Sequence, residues 1–567
     1  MWLLNSNPFL IRCLLLAVCL CAVKSGRSLA EESLHEKIDL LIAAQAGGPV
    51  AAAADDAEFL RRAYLDLAGR IPSSSEARAF LADAAADKRV RLIDALLAGP
   101  DHPRRMKEAF HVMLMERAGD NPEWDNFLTD SFAGNKPWDQ MVREMLYPPA
   151  EDAHRRGAGY FLSRRLENYG QQPVDLPGLA RDVGRLFLGV DLQCAQCHNH
   201  LFVDDYKQWQ FQGLYAFVNH LRRRTDTPFP AVAEGLVQTK IEFASVFDAD
   251  NKMQTGPRLL EGAEFDVPVF NKGEEFLVAP VAAKGIPGVP KFSPLRILSE
   301  QLPTANNTAF SRNIANRLWF VMFGRGLVHP LDLHHGDNPA SHPAVLDLMA
   351  AEFVAHHYDI RWLLRELALS QTYQRSSLLP EGTAAAAPES YIVALEKPLS
   401  AEQLYASVSR ATGQYDVVEQ EVAQQLSGED PKLLEAADEN AVLKTALLEK
   451  KIGPARAAFV AAFANPPKEP ETEFAPSVKG ALFIMNDATL LDWLQPRPGN
   501  LVDRLDKLSD SAAIAEELYL NILSRKPSPE EQATVADYLA QHPDNKPKAL
   551  GQLAWAFLAS TEFCVCH

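Results

Sequence analysis

The sequence predicts a mainly α-helical protein, with multi-helical N- and C-terminal domains and a small β-rich insertion between them. Apolar residues recur at helical spacing through residues 31–225 and again through 292–567. Residues 226–291 instead alternate apolar and polar positions, broken by Gly, Pro and Asp-rich turns, which is typical of short strands. A chain of 567 residues is long enough for several domains. We therefore expect these three ranges to be three domains.

The beginning of the chain has the pattern of a secretory signal peptide. An apolar run from Leu14 to Val23 follows Arg12, and small residues precede Glu31. The run is too short for a membrane-spanning helix. We expect residues 1–30 to be removed after Ala30. The mature protein would then be exported, periplasmic or at the cell surface, with no integral membrane segment.

Start and stop signals define the helices of the N-terminal domain. The segment AEFLRRAYLDLAGRIP has apolar residues at helical spacing and ends with Gly69 and Pro72. Ser73 and Glu76 then have the spacing of a capping box, which predicts that the next helix begins there. Further helical patterns follow in KRVRLIDALLAG, RRMKEAFHVMLMERAG and LPGLARDVGRLFLGV.

The C-terminal domain carries the same kinds of signal. The segment TAFSRNIANRLWFVMFGRGL predicts a long helix that ends near Gly324. Ser400 with Gln403 predicts a capping box at the start of LSAEQLYASVSRATG. Ser528 followed by Pro529 predicts another helix start, since proline is favoured at the first helical position.

The net charge excludes one class of partner. The formal charge is −18, so a broad surface should repel nucleic acid and anionic lipid. The main basic cluster is Arg222–Arg224, and we expect it to end a helix or to lie on a solvated face. No nucleic-acid partner is predicted.

Cysteine use points to local chemistry. Three of the seven cysteines lie in the predicted signal peptide, and the remaining four are Cys194, Cys197, Cys564 and Cys566. A disulfide-stapled exported protein would spread its cysteines along the chain. Two tight clusters instead indicate two local sites.

The segment VDLQCAQCHNHLFVDD contains the C-x-x-C-H signature of c-type haem attachment. The thiols of Cys194 and Cys197 would bond the porphyrin vinyl groups, and His198 would be an axial ligand of the iron. For the opposite face of the iron the sequence offers His220, Met322 and His329. Haem c is therefore the predicted cofactor.

Two other interpretations of the motif stay open. Cys194 and Cys197 could form a short, redox-active disulfide, because so small a loop gains little from cross-linking. They could also bind zinc with His198 or His200, the fourth ligand coming from elsewhere in the chain. One source of that ligand would be residues 564–567, folded back onto the motif.

Two further polar groups near the motif have other expected roles. The segment HPLDLHHGD resembles a metal-ligand cluster, but adjacent histidines in a loop are more often exposed polar residues. Asp204 and Asp205 are expected to cap the helix that follows them. The chain has no G-x-S-x-G elbow, Walker A loop or H-E-x-x-H motif, so nothing indicates a hydrolase.

Long segments of the chain resemble a known family. They are RRAYLDLAGRIPSSSEARAFL, FLGVDLQCAQCHNHLFVDDYKQWQFQGLYAFV, SRNIANRLWFVMFGRGLVHPLDLHHGDNPASHPAVLDLMAAEFV and LLRELALSQTYQRSS. The family is that of exported planctomycete-type proteins that join a cytochrome-c-related domain to a second helical domain (domain-of-unknown-function families 1549 and 1553). In that family Asp-His-Pro-Phe usually follows the motif, whereas this chain has Asn199, His200, Leu201 and Phe202. The resemblance also implies an exported sulfatase-like protein as a partner.

The residues and the resemblance together predict an exported c-type haem protein that transfers electrons outside the cytoplasm, to or from a redox partner protein. The alternative belongs to another class. It is a non-catalytic binding or scaffold protein of the cell envelope, whose C-x-x-C-H forms a metal site or a disulfide.

Overall fold

The computed structural model describes residues 32–168, 170–383, 385–429, 437–471 and 478–567. The predicted signal peptide, residues 1–30, lies outside this described part of the chain. Across the described ranges, no helix combines the length and the apolar character needed to cross a membrane.

The N-terminal part is helical, as predicted. Its helices are α1 (Leu34–Gln45), α2 (Asp56–Ala68), α3 (Ser74–Ala82), α4 (Lys88–Ala98), α5 (Asp101–Met115), α6 (Pro122–Ala133), α7 (Trp138–Leu146), α8 (Tyr160–Arg165), α9 (Leu176–Leu188) and α10 (Gln208–Val218). Helix α2 ends at Gly69, which has the left-handed conformation that favours glycine at this position (φ 70°). The capping box of Ser73 and Glu76 starts α3. Both boundary predictions are confirmed.

The predicted β-rich insertion consists of two-stranded antiparallel sheets. They pair β1 (Leu221–Arg223) with β2 (Val232–Glu234), β3 (Ile241–Ser245) with β4 (Asp248–Thr255), and β5 (Phe276–Val278) with β6 (Val289–Pro290). The basic cluster therefore begins on a strand rather than at a helix end. Its residues Arg222 and Arg223 are exposed, which agrees with the solvated face that we expected.

Helices return after the insertion, in agreement with the sequence. They are α11 (Pro294–Gln301), α12 (Thr308–Phe323), α13 (Pro343–Ala355), α14 (Ile360–Leu369), α15 (Ala401–Thr412), α16 (Gln414–Glu429), α17 (Ala437–Phe463), α18 (Val478–Asn486), α19 (Ala488–Trp493), α20 (Leu501–Asp506), α21 (Ser511–Ile522), α22 (Pro529–Ala540), α23 (Lys546–Leu558) and α24 (Thr561–Cys564). Gly324 ends α12, and capping boxes at Ser400 and Ser528 start α15 and α22.

The buried side chains of these elements form two main hydrophobic cores. The first combines buried side chains of α1–α10 with those of α11–α14. The second is built from α15, from α17 and from the helices that follow it, with Leu65 and Ile71 added from α2 and its loop. The first core thus includes helices on both sides of the β-rich insertion. The domain limits drawn from the sequence stay a prediction.

Helix α2 joins the two cores through two buried arginines. The Arg61 guanidinium donates to the carbonyl oxygens of Ile522 (3.2 Å) and Phe563 (2.7 Å), and the side chain is fully buried. Arg62 donates to the carbonyl oxygen of Tyr373 at 2.5 Å. Strand β7 (Lys397–Pro398) pairs with β8 (Val565–Cys566) beside them. The last described residues are therefore built into the second core.

Candidate functional site

The C-x-x-C-H loop connects α9 to α10. Helix α9 ends at Gly189, where the chain turns with φ 73°. Cys194–Gln196 form a single 3-10 turn, and Cys197 N–H donates to the Cys194 carbonyl oxygen at 3.3 Å. This turn carries both thiols at the surface, where Cys194 and Cys197 are exposed and free.

The start of the loop is fixed by a segment from beyond the insertion. Asp191 N–H donates to the Asp332 carbonyl oxygen at 2.9 Å, and His334 N–H donates to the Gly189 carbonyl oxygen at 3.0 Å. A side chain at position 189 would not fit here, because its Cβ would lie 2.8 Å from a ring carbon of His334. The glycine thus permits the close approach of the two segments.

The end of the loop is fixed by α10 and by the β3–β4 hairpin. The side-chain oxygen of Asn199 accepts a hydrogen bond from Gln208 N–H at 2.9 Å, at the first residue of α10. The side-chain amide of Gln212 donates to the Gln196 carbonyl oxygen at 3.1 Å. Val246 N–H, at the hairpin turn, donates to the Cys197 carbonyl oxygen at 3.0 Å. The motif is therefore attached on both sides to regular structure.

His198 has a defined tautomer in this setting. Its Nδ1 lies 2.6 Å from the Asn199 carbonyl oxygen, which can only accept, so Nδ1 carries the proton. The Nε2 lone pair of the neutral ring is then free for a metal. The ring packs beside Phe247, with 4.8 Å between ring centroids.

Large apolar side chains around the motif are exposed to solvent. Leu201 is 64% exposed, Phe202 86%, Val246 63% and Phe247 70%. We call these four residues the apolar rim. Because burial of apolar area is favourable by roughly 25 cal/mol per Å², a rim of this kind is typical of a surface that another group covers.

His200 faces its own loop. Its Nδ1 accepts hydrogen bonds from Phe202 N–H (3.2 Å) and Val203 N–H (2.9 Å), so the neutral ring carries its proton on Nε2. A ring in this tautomer has no free lone pair to offer a metal. The geometry favours a structural role for His200, and its assignment as a ligand stays a prediction.

No composite metal cluster accompanies the motif. Within the described ranges, no group of three or more His, Cys, Asp or Glu side chains is arranged to hold a metal ion. Residues 564–567 do not fold back onto the motif. Cys566 is buried in the second core and pairs with Lys397, and burial raises the pKa of its thiol to about 11. The zinc site completed by this segment is therefore not formed.

Two of the residues suggested for the opposite face of an iron have other surroundings. His220 Nε2 lies 3.3 Å from the Glu234 carboxylate, and both side chains are largely buried. Met322 is a fully packed member of the first core. These contacts give both residues a structural role.

The aspartates after the motif do not cap α10, contrary to the expectation. Asp205 accepts a hydrogen bond from Gly336 N–H, and Asp204 is exposed beside Lys207. Asn199 provides the acceptor at the start of α10 instead. The distance in sequence between Asn199 and Gln208 explains why a local capping pattern missed it.

Sequence reasoning identified the HPLDLHHGD segment but expected its adjacent histidines to be exposed, whereas His334 and His335 are only partly exposed. The segment lies against the C-x-x-C-H loop, where Tyr206 makes edge contacts with the rings of His200 (6.0 Å) and His335 (5.4 Å). His334 is mostly buried, and this burial lowers its pKa to about 4. The histidines thus support the loop. In the sequence, the signal of this contact is a pair of glycines, Gly189 and Gly336, each of which lies where the two segments approach closely.

Two family models match the chain. A family described as "PSCyt2: Protein of unknown function (DUF1549)" matches residues 37–223, which include the C-x-x-C-H loop. A family described as "PSD1: Protein of unknown function (DUF1553)" matches residues 296–539. The name of the first suggests a cytochrome-related domain. No curated protein and no solved structure matches the chain.

Proposed function

We propose that this chain, which belongs to the PSCyt2 (DUF1549) and PSD1 (DUF1553) families, is an exported c-type haem protein. Its work would be electron transfer outside the cytoplasm, with a redox protein as the partner. Cys194, Cys197 and His198 would hold the cofactor. When bound, a haem c supplies a reversible one-electron couple.

The observation that carries the proposal is the state of His198. A haem ligand needs an imidazole with one nitrogen protonated and hydrogen-bonded and the other free. The 2.6 Å contact from His198 Nδ1 to the Asn199 carbonyl oxygen meets that requirement, next to two exposed thiols. The donor set therefore fits a c-type haem.

The surrounding residues supply the rest of what such a site needs. The apolar rim can cover a hydrophobic group and exclude water from it. The hydrogen bonds of Asn199 to α10 and of Cys197 to the hairpin hold the donors in place. Hydrogen bonds of this kind would keep the two thiols and the imidazole oriented toward a bound haem.

The direct test is a pyridine haemochrome spectrum of the protein produced in a host with haem-maturation machinery. We expect covalent haem in the wild type and none in a variant that combines Cys194→Ala with Cys197→Ala. Cys564→Ser is the matched control, because it removes a thiol outside the motif. The proposal fails if the wild type carries intact thiols, zinc or a Cys194–Cys197 disulfide in place of haem.

Export is tested separately. We expect the mature protein to begin at Glu31 and to lie outside the cytoplasm. N-terminal sequencing after cell fractionation measures both. A cytoplasmic protein that retains residues 1–30 would contradict export.

A further inference from the structure

A cavity outside the C-x-x-C-H loop lies between the two cores. Its volume is about 280 Å³, near the lower end of the range for small-molecule sites. Its walls come from α2, α5, α9 and α12 on one side and from residues 397–403, 463–471 and Cys566 on the other. The cavity thus spans the parts of the chain that match the two families.

The walls are charged, and almost all of the charges are paired. Every lining carboxylate has a cationic partner among the described residues. The pairs are Asp66 with Lys397 (2.5 Å), Glu108 with Arg104 (3.3 Å), Glu116 with Arg185, Asp332 with Arg185 (3.1 Å) and with Arg317, Glu402 with Arg117 (2.8 Å), and Glu471 with Arg117. The carboxylates therefore do not need a ligand.

Arg105 is the exception among the lining cations. It is only 8% exposed, and the hydrogen bond that its Nε donates to the Asp66 carbonyl oxygen is long, at 3.4 Å. Among the described residues, no carboxylate forms an ion pair with it. Burial accordingly lowers the pKa of its guanidinium. The carboxylates of Asp66, Glu108 and Glu402 favour the charge of Arg105 from beyond ion-pair distance, so they offset only part of the cost of removing the guanidinium from water.

The chain is built to keep Arg105 in this position. The Arg105 stem passes directly over Gly69, where a Cβ would lie 2.8 Å from Arg105 Cδ. Gly69 ends α2 in the left-handed conformation, which glycine adopts without strain, and its lack of a side chain leaves room for the Arg105 stem. On the other walls, Val112, Phe320 and Phe463 provide apolar surface.

We propose that this cavity binds a small organic molecule that carries an oxyanion, and that Arg105 is the partner of that oxyanion. A guanidinium presents its donors as a planar fork that matches a carboxylate, phosphate or sulfate group. The apolar walls would contact the remainder of the molecule. This inference does not depend on the haem proposal.

The test is thermal unfolding of the full purified chain with probe anions. The probes are inorganic phosphate, sulfate, succinate and benzoate, each compared with chloride at equal ionic strength. We expect at least one oxyanion to raise the Tm of the wild type beyond chloride. The carboxylate and the phosphate or sulfate arms identify which headgroup the site prefers.

Variants then assign the effect to Arg105. In Arg105→Met we expect the oxyanion affinity to fall more than tenfold, while the Tm without anion stays the same or rises. Arg70→Met is the matched control, because the Arg70 side chain is also mostly buried (11% exposed) but is paired with Glu76 (3.0 Å) and Asp101 (2.7 Å) outside the cavity. We expect that control to lower the Tm and to keep the oxyanion response.

Two results would overturn the proposal. One is a wild type whose Tm no probe raises beyond chloride. The other is an oxyanion response that survives in Arg105→Met. If circular dichroism shows that this variant does not fold, Arg105→Lys serves in its place, and an unchanged affinity in that variant has the same consequence.

Discussion

Asn199 offers a sharp test of how the C-x-x-C-H loop is held. Its side-chain oxygen is the acceptor for Gln208 N–H at the start of α10, and Gln208 is only 3% exposed. In Asn199→Ala this buried N–H loses its partner, which costs about 1–2 kcal/mol. Local opening of the loop should then become roughly 5- to 30-fold more frequent.

Asn199→Asp is the matched variant, since it keeps the acceptor and adds a negative charge. A carboxylate near the first turn of a helix is favourable by about 0.3–1 kcal/mol. We therefore expect slower opening than in the wild type. This substitution also restores the residue usual in the family that the sequence resembles.

Hydrogen exchange read by mass spectrometry on peptides that cover residues 199–212 measures both effects. The expected order of exchange rates is Asn199→Ala fastest, the wild type intermediate and Asn199→Asp slowest. Equal rates in the alanine variant and the wild type would refute the reasoning. So would an aspartate variant that exchanges as fast as the alanine variant.

Three further predictions concern the core and the thiols. Burial lowers the pKa of His102 to about 4, so the unfolded state binds the proton first. This group should make stability fall as the pH drops from about 6.5 to 4, by up to about 1.4 kcal/mol per pH unit. In urea unfolding, His102→Asn should remove that share of the slope and leave the share of His334, whose pKa is lowered in the same way. Arg61→Met leaves four main-chain carbonyl oxygens without their donor and should lower the free energy of unfolding by at least about 3 kcal/mol. Denaturation followed by tryptophan fluorescence measures this loss. A loss below about 1 kcal/mol would contradict the role of Arg61 in joining the two cores. In haem-free protein, iodoacetamide should modify Cys194 and Cys197 well before Cys566, whose thiol pKa is raised to about 11; faster labelling of Cys566 in the mass spectrum would contradict its burial.

Much of the local structure followed from the sequence. The end of α2 at Gly69 and the capping boxes at Ser73, Ser400 and Ser528 were predicted correctly. These features depend on a few neighbouring residues, whose φ angles and side-chain acceptors act within one helical turn. The strand-like character of the β3–β4 region was predicted correctly, but the expected Asp-rich turn was wrong: residues 248–251 begin strand β4, and the turn lies at Val246 and Phe247.

The surroundings of the motif were not readable in the same way. The expectation that Asp204 and Asp205 cap α10 was wrong, because Asn199 reaches Gln208 from the preceding loop. A local capping pattern considers only residues next to the start of the helix in sequence. In the folded chain the acceptor is the residue that lies nearest in space, and here that residue is nine positions away.

The sequence by itself determined which chemistry is possible: two thiols and one histidine at C-x-x-C-H spacing, on a mainly helical chain. The tertiary structure decided which atoms of that motif are free. It directs His198 Nδ1 to a carbonyl oxygen and engages His200 with its own loop. It also places Arg105 in a cavity between two cores, where no described carboxylate forms an ion pair with it. Spacing along the chain specifies donor types, whereas the main-chain hydrogen bonds that hold Gly189 and Asp191 come from residues 332–334, more than a hundred residues away.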